Sequence, residues 1–194
     1  GLQRYATIVA KFVKWRLAHT GATHANLACH SMGCLITRHL IENDFEGLAS
    51  GNYIVRWFTS TGVIHGAQLS RLFDNPAIQQ GDKALGLELS DFILMNPDYV
   101  WDVTAAWDHK LFQANNPLFT GIRIHHVCAT DPKIKQALGV QLLDLNNPTD
   151  DPNDGIMYTH DQHFHGQADS VSAKSKAGDA VAPTATWVFA DHMT

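Results

Sequence analysis

The sequence has no run of basic residues, no uninterrupted apolar stretch long enough to cross a bilayer, and only three cysteines among its 194 residues. Each shortage removes a class of function. Without a basic run, and with a net charge of −5, the chain carries no electrostatic footprint for nucleic acid. Without about 20 consecutive apolar residues it offers no transmembrane segment. Cys29, Cys34 and Cys128 are odd in number and read as buried free thiols, because free Cys behaves as a small hydrophobe. They do not identify a compartment. There is no internal repeat, no initiator Met and no signal-peptide pattern.

What is present is the composition of a globular domain. Hydrophobic residues make up 45% and charged residues 17%, which argues against disorder and for one domain with a substantial core. Strand-like runs alternate with helix-like ones. Residues 3–18 place Ile8, Phe12 and Trp15 on one helical face, with Val9 and Val13 adjoining. Residues 25–29 read as a buried strand, followed by a helix to about Asn43. Further strands are expected over 53–59, 121–128 and 186–189. Arg56 is awkward for a strand buried on both faces. The alternation predicts an α/β fold with a mostly parallel sheet, flanking helices and its ligand site at the strand C-termini.

The segment Cys29-His30-Ser31-Met32-Gly33 joins the first of these strands to its helix. Strand, tight turn with a central Ser, then helix is the arrangement of a nucleophile elbow, usually Gly-x-Ser-x-Gly. Here Cys29 replaces the first Gly. The residues two before and two after the Ser press together in such a turn, so both must be small. Ser31 then projects its hydroxyl, and the Met32 N–H can stabilise an oxyanion. The alternative is a Ser that only caps a helix.

A serine nucleophile needs a base and an orienting acid. Asn153-Asp154-Gly155-Ile156 and Asp191-His192-Met193 follow in the chain order Ser, acid, His. Together with His30-Ser31-Met32-Gly33, these segments resemble the bacterial true lipases, nearest the thermophilic bacillus and staphylococcal group. Gly62-Val63-Ile64-His65-Gly66-Ala67 is similar to that family's Thr-Pro-His-x-Gly stretch, with Ile64 in place of Pro. The resemblance implies an α/β-hydrolase fold, a Ser31–Asp154–His192 triad, an oxyanion donor at Met32 and secretion. It also implies a partial hydrolase domain over 1–194, because the superfamily places several strands, and the loop with the second oxyanion donor, before the elbow. Asp131, at the end of a strand, remains the alternative acid. Asp191 would have to reach its own neighbour's ring, which is poor geometry.

Residues 71–119 hold no clear strand but include Phe92, Ile93, Leu94, Met95, Trp101, Trp107 and Phe112. They read as a helical, lid-like insertion, with ordinary flanking helices as the alternative. The apolar residues between 92 and 112 suit an ester with an apolar acyl group and contact with a lipid interface. The chemistry requires no cofactor. The lipase group binds calcium and zinc, but its ligands do not map onto residues here. His160, His163 and His165 with Asp161 and Asp169 are the best metal cluster, although a solvated polar loop is the preferred reading. Asp144, Asp150 and Asp151 lack calcium-loop spacing and read as turn residues. The expected activity is carboxylic ester hydrolysis of the lipase or esterase type. The rivals are an acyltransferase or amidase on the same triad, a catalytically silent hydrolase-fold binding protein, and a metal-binding domain using the His cluster.

Overall fold

In the computed structural model, the structure describes residues 2–64, 66–67, 121–130 and 184–189, with positions 76, 80, 162, 173–174 and 180–181. Helix α1 (Leu2–Thr20) leads into strand β1 (Ala25–His30), helix α2 (Met32–Glu42), a 3₁₀ turn (Phe45–Gly47) and strand β2 (Ile54–Ser60). Strand β3 (Arg123–Thr130), a two-stranded antiparallel ribbon of β4 (Ala173–Lys174) and β5 (Ala180–Val181), and strand β6 (Thr184–Phe189) complete the order. The main sheet runs β1-β2-β3-β6 with every pair parallel. All four carboxyl ends therefore meet at one edge, as the alternation in the sequence implied. The β4–β5 ribbon was not anticipated.

Why the chain turns where it does follows from local chemistry. Helix α2 stops at Glu42, and Asp44 adopts a left-handed conformation (φ 48°). The Asp44 carboxylate then accepts the N–H groups of Ala49 at 3.0 Å and Ser50 at 2.9 Å. That pins the return towards β2. The β1–β2 pair begins with a register shift between Ala25 and Asn26, after which His30 stands opposite Ser60.

The core lies between the sheet and the two helices. Trp57 and Ile124 pack with Ala6, Ala10, Val13, Leu40 and Ile41. The buried stripe of α1 is Leu2, Ala6, Ala10, Val13 and Leu17, whereas Ile8, Phe12 and Trp15 are 55%, 58% and 48% exposed. This reverses the apolar face expected from the large residues. Small Ala6 and Ala10 are fully buried in the stripe, and the bulky residues are left outside, where Trp15 stacks on Phe12 and lies tilted against His19. Arg56 is accommodated because it is exposed, with Phe58, on alternate positions to the buried Trp57 and Thr59.

Candidate active site

Strand β1 ends at His30 and helix α2 begins at Met32, so Ser31 alone makes the connection. Its backbone sits at φ 51°, ψ −128°. For a residue with a Cβ this costs on the order of 1–3 kcal/mol, and it persists only when the surroundings enforce it. The enforcing contacts are backbone hydrogen bonds. Ser31 N–H donates to the Ser60 carbonyl at 3.2 Å, and the Ser31 carbonyl accepts Cys34 N–H at 3.0 Å and Val63 N–H at 3.2 Å. The end of β2, the segment after it and the first turn of α2 therefore hold both polar groups of this residue.

The Ser31 side chain makes no capping bond to α2, which removes the reading of Ser31 as a helix cap. The residue is half-buried rather than sealed. A strained turn that gains no cap is the geometry of a nucleophile elbow. Met32 is the first helical residue, where backbone N–H groups lack intrahelical partners and the helix dipole favours negative charge.

Packing beneath the turn differs in one respect from the steric expectation. Cys29 and Gly33 do face each other, but a Cβ added at Gly33 would lie 3.7 Å from the Cys29 Cβ, an ordinary contact. The tight position is Gly62. A Cβ there would meet Cys34 Cβ at 3.1 Å, Cys34 Sγ at 3.2 Å and Thr59 Cβ at 3.2 Å. The elbow is thus wedged from the β2 side.

A polar network fills the space under Ser31. Trp57 Nε1–H donates to Thr37 Oγ1 at 2.9 Å. The single Thr37 hydroxyl proton faces three acceptors: Gly33 O at 3.0 Å, Cys34 O at 3.1 Å and Cys29 Sγ at 3.3 Å. Contacts from Cys34, Thr37 and Trp57 together lower the Cys29 thiol pKa against the opposing effect of burial. Burial pushes Cys34 well up, and it pushes Cys128 on β3 up to about 12.

Two further residues, missed in the sequence, secure the site. Arg38 on α2 is buried, pairs through Nε with Glu42 Oε1 at 3.0 Å, and donates from its guanidinium to the Ile64 carbonyl. The segment after β2 is thereby tied to α2 through Arg38 and to the elbow through Val63. The only sequence signal was an Arg and a Glu four apart in an otherwise apolar helix. At the far side of the edge, the Gln162 side chain accepts Ala129 N–H at 2.7 Å and donates to Ala129 O at 2.9 Å. This brings position 162 to the carboxyl end of β3.

Ser31 and Met32 stand at the sheet edge as expected. Asp154, His192 and the alternative acid Asp131 lie outside the described residues, as do Asp191, His65 and nearly all of 71–119. So do Asp144, Asp150, Asp151, His160, Asp161, His163, His165 and Asp169. Asp131 follows the last residue of β3, and His192 comes three residues after the last of β6. In register, Ser60 stands opposite both His30 and Val127, and Val127 opposite Thr186. Among the described residues no group of three His, Cys, Asp or Glu could hold a metal ion, and no helix is long and apolar enough to cross a membrane.

No protein-family model and no curated protein matches the chain. Solved structures do. The chain superimposes on the mature form of the Bacillus licheniformis lipase BlEst2 with a TM-score of 0.64 at 15% identity, over 99% of this chain and 67% of that one. A metagenomic carboxyl esterase gives 0.64 at 16% identity, over 99% and 51%. The phospholipase PlaB of Legionella pneumophila gives 0.58 at 13%, over 84% and 34%. The chain therefore spans from about two thirds to about one third of these proteins. At such identities the likeness establishes the fold, an α/β-hydrolase sheet with flanking helices.

Proposed function

We propose that the chain is the nucleophile-bearing part of a serine carboxylic ester hydrolase. The observation that carries this reading is the strained, uncapped conformation of Ser31 at the carboxyl edge of a parallel sheet. A capping or structural Ser has no need of a φ of 51°. The shared fold of bacterial lipases and esterases supports it.

In the proposed reaction His192 takes the proton from Ser31 Oγ as the oxygen attacks the ester carbonyl. Asp154 orients the imidazole and stabilises its charged form. The Met32 N–H donates to the developing oxyanion, aided by the N-terminus of α2. His192 returns the proton to the leaving alcohol, and an acyl-Ser31 ester remains. Water, deprotonated by His192, then releases the acid. The apolar residues between 92 and 112 favour an acyl chain as the substrate's acid part.

A fluorophosphonate probe tests the reading, because only an activated serine reacts covalently. Labelling of the chain at Ser31, absent in Ser31→Ala, is expected. A folded protein that stays unlabelled would show a silent binding fold instead. Ester and amide turnover, measured side by side, separates an esterase from an amidase. Asp154→Asn should cost far more turnover than Asp131→Asn, and the reverse result would move the acid to Asp131.

A further inference from the structure

Helix α1 has two apolar faces, and the core uses only one. Leu2, Ala6, Ala10, Val13 and Leu17 form the buried stripe. On the opposite side Ile8, Phe12, Trp15 and His19 follow the i, i+4, i+7, i+11 spacing of a second helical stripe. Four large hydrophobic side chains are exposed among the described residues, and Ile8, Phe12 and Trp15 are three of them. Exposed apolar residues gathered on one face mark an interaction surface, whereas scattered ones do not. We propose that this outer face of α1 docks on an anionic lipid bilayer, with the helix in the membrane plane and the aromatic stripe among the lipid headgroups.

Charge and ring geometry choose the partner. Helix α1 carries Arg4, Lys11, Lys14 and Arg16 and no Asp or Glu, in a chain whose net charge is −5. None of the four forms an ion pair among the described residues. At 3.6 residues per turn, Arg4 and Lys11 border the aromatic stripe on one side and Arg16 borders it on the other. The Trp15 ring lies 5.9 Å from Phe12 and 4.2 Å from His19, centroid to centroid, and the Arg16 guanidinium is 5.7 Å from it. Lys14 sits further round the helix, 3.7 Å over the Tyr53 ring. Trp concentrates at membrane interfaces, where its apolar body and its polar N–H are both satisfied. Arg and Lys beside it extend their charges to lipid phosphates and lay their stems along apolar surface. Each such cation is attracted by an anionic leaflet.

Protein partners fit this face less well. A second copy meeting it through the same face would set like charges against each other, with no acid on either helix to compensate. A purely apolar groove would leave the flanking cations without counter-charges. The surface is separate from the apolar residues between 92 and 112, and its place in the fold relates it to the candidate site. Leu2, at the start of α1, shares an apolar cluster with Met32 and Leu35 beside the elbow. A membrane under α1 therefore passes alongside the carboxyl edge of the sheet.

Co-sedimentation with vesicles tests the proposal. The full chain is spun with phosphatidylglycerol vesicles, with phosphatidylcholine vesicles and alone. It should pellet with phosphatidylglycerol, stay in solution in the other two, and bind more weakly as salt is raised. Arg4→Glu with Lys11→Glu, and separately Phe12→Ser with Trp15→Ser, should each weaken binding by on the order of tenfold or more. All four side chains are exposed, so both variants should keep the native circular dichroism. Equal binding to phosphatidylcholine, no binding to either lipid, or binding that survives both double variants would overturn the proposal. So would self-association without lipid that Phe12→Ser with Trp15→Ser abolishes, which would give the face to a second copy. Vesicle binding needs no ester hydrolysis, so it stands or falls apart from the role of Ser31.

Discussion

Val63 donates its backbone N–H to the carbonyl of Ser31 at 3.2 Å, and this bond ties the segment after β2 to the turn that presents the candidate nucleophile. With the Ser60 bond to Ser31 N–H, it lets a residue with a side chain occupy a conformation that favours glycine. Ser31→Gly should therefore raise stability by about 1 kcal/mol, the relieved strain less the greater entropy lost by Gly. Thermal unfolding would read this as a Tm increase, and fluorophosphonate labelling should be lost. A lowered Tm would mean that Ser31 carries no strain.

Ser31→Ala keeps the strain and removes the hydroxyl. Ester turnover should fall by roughly 10⁴-fold or more, with Tm nearly unchanged. Steady-state hydrolysis of a chromogenic ester, beside a melting curve, checks both halves.

The two glycines near the elbow should respond in opposite ways. Gly62→Ala forces a methyl to about 3.1 Å from Cys34 and 3.2 Å from Thr59, and should destabilise by about 1–3 kcal/mol. Gly33→Ala, within α2, places its methyl an ordinary 3.7 Å from Cys29 and should stabilise slightly, by under about 1 kcal/mol. Urea unfolding of the two variants decides the order.

Arg38 pairs with the buried Glu42 carboxylate and also donates to the Ile64 carbonyl. Arg38→Ala would remove this ion pair from a buried carboxylate and should cost about 3–5 kcal/mol. Arg38→Met with Glu42→Leu removes both charges and should recover much of that loss. Chemical denaturation of the single and double variants measures the difference.

His39 gives the fold a pH dependence. Burial, and secondarily the adjacent Arg38 charge, lower its pKa to about 4 from an ordinary 6.5. Its neutral ring accepts from Asn43 Nδ2 at 3.0 Å and donates to Gln3 Oε1 at 3.3 Å. Below pH 6.5 the unfolded chain binds a proton that the folded chain refuses until about pH 4. Stability from this group is therefore complete above 6.5 and lost as pH falls through that window, on the order of 3 kcal/mol in all. Comparing wild type with His39→Leu between pH 7 and 4 isolates the effect, since the variant should lose the histidine share of the slope.

The local grammar of the elbow was legible because it rests on contacts close in sequence. An apolar run, a small residue on either side of Ser31 and an amphipathic stretch after it specify strand, turn and helix within a few residues. Four parallel strands and the position of Ser31 at their carboxyl edge followed from the alternation of elements alone. Side-chain size along α1 misled, because Ile8, Phe12 and Trp15 look like a core face. The buried stripe instead runs through the small Ala6 and Ala10, which pack into the core beside residues of α2 and the sheet.

What only the tertiary structure decided are the long-range constraints on Ser31. Ser60 and Val63 hold its backbone, Gly62 wedges against Cys34, and Trp57 and Thr37 line the space beneath. These residues lie on β2 and its exit or deep in α2, and no local pattern marks them as partners of the turn. Local sequence determined that a serine stands between strand and helix, because hydrophobic periodicity and turn sterics act over neighbouring residues. Whether that serine merely caps the helix or is held in strain depended on hydrogen bonds from a strand some thirty residues away, which form only when the sheet is assembled.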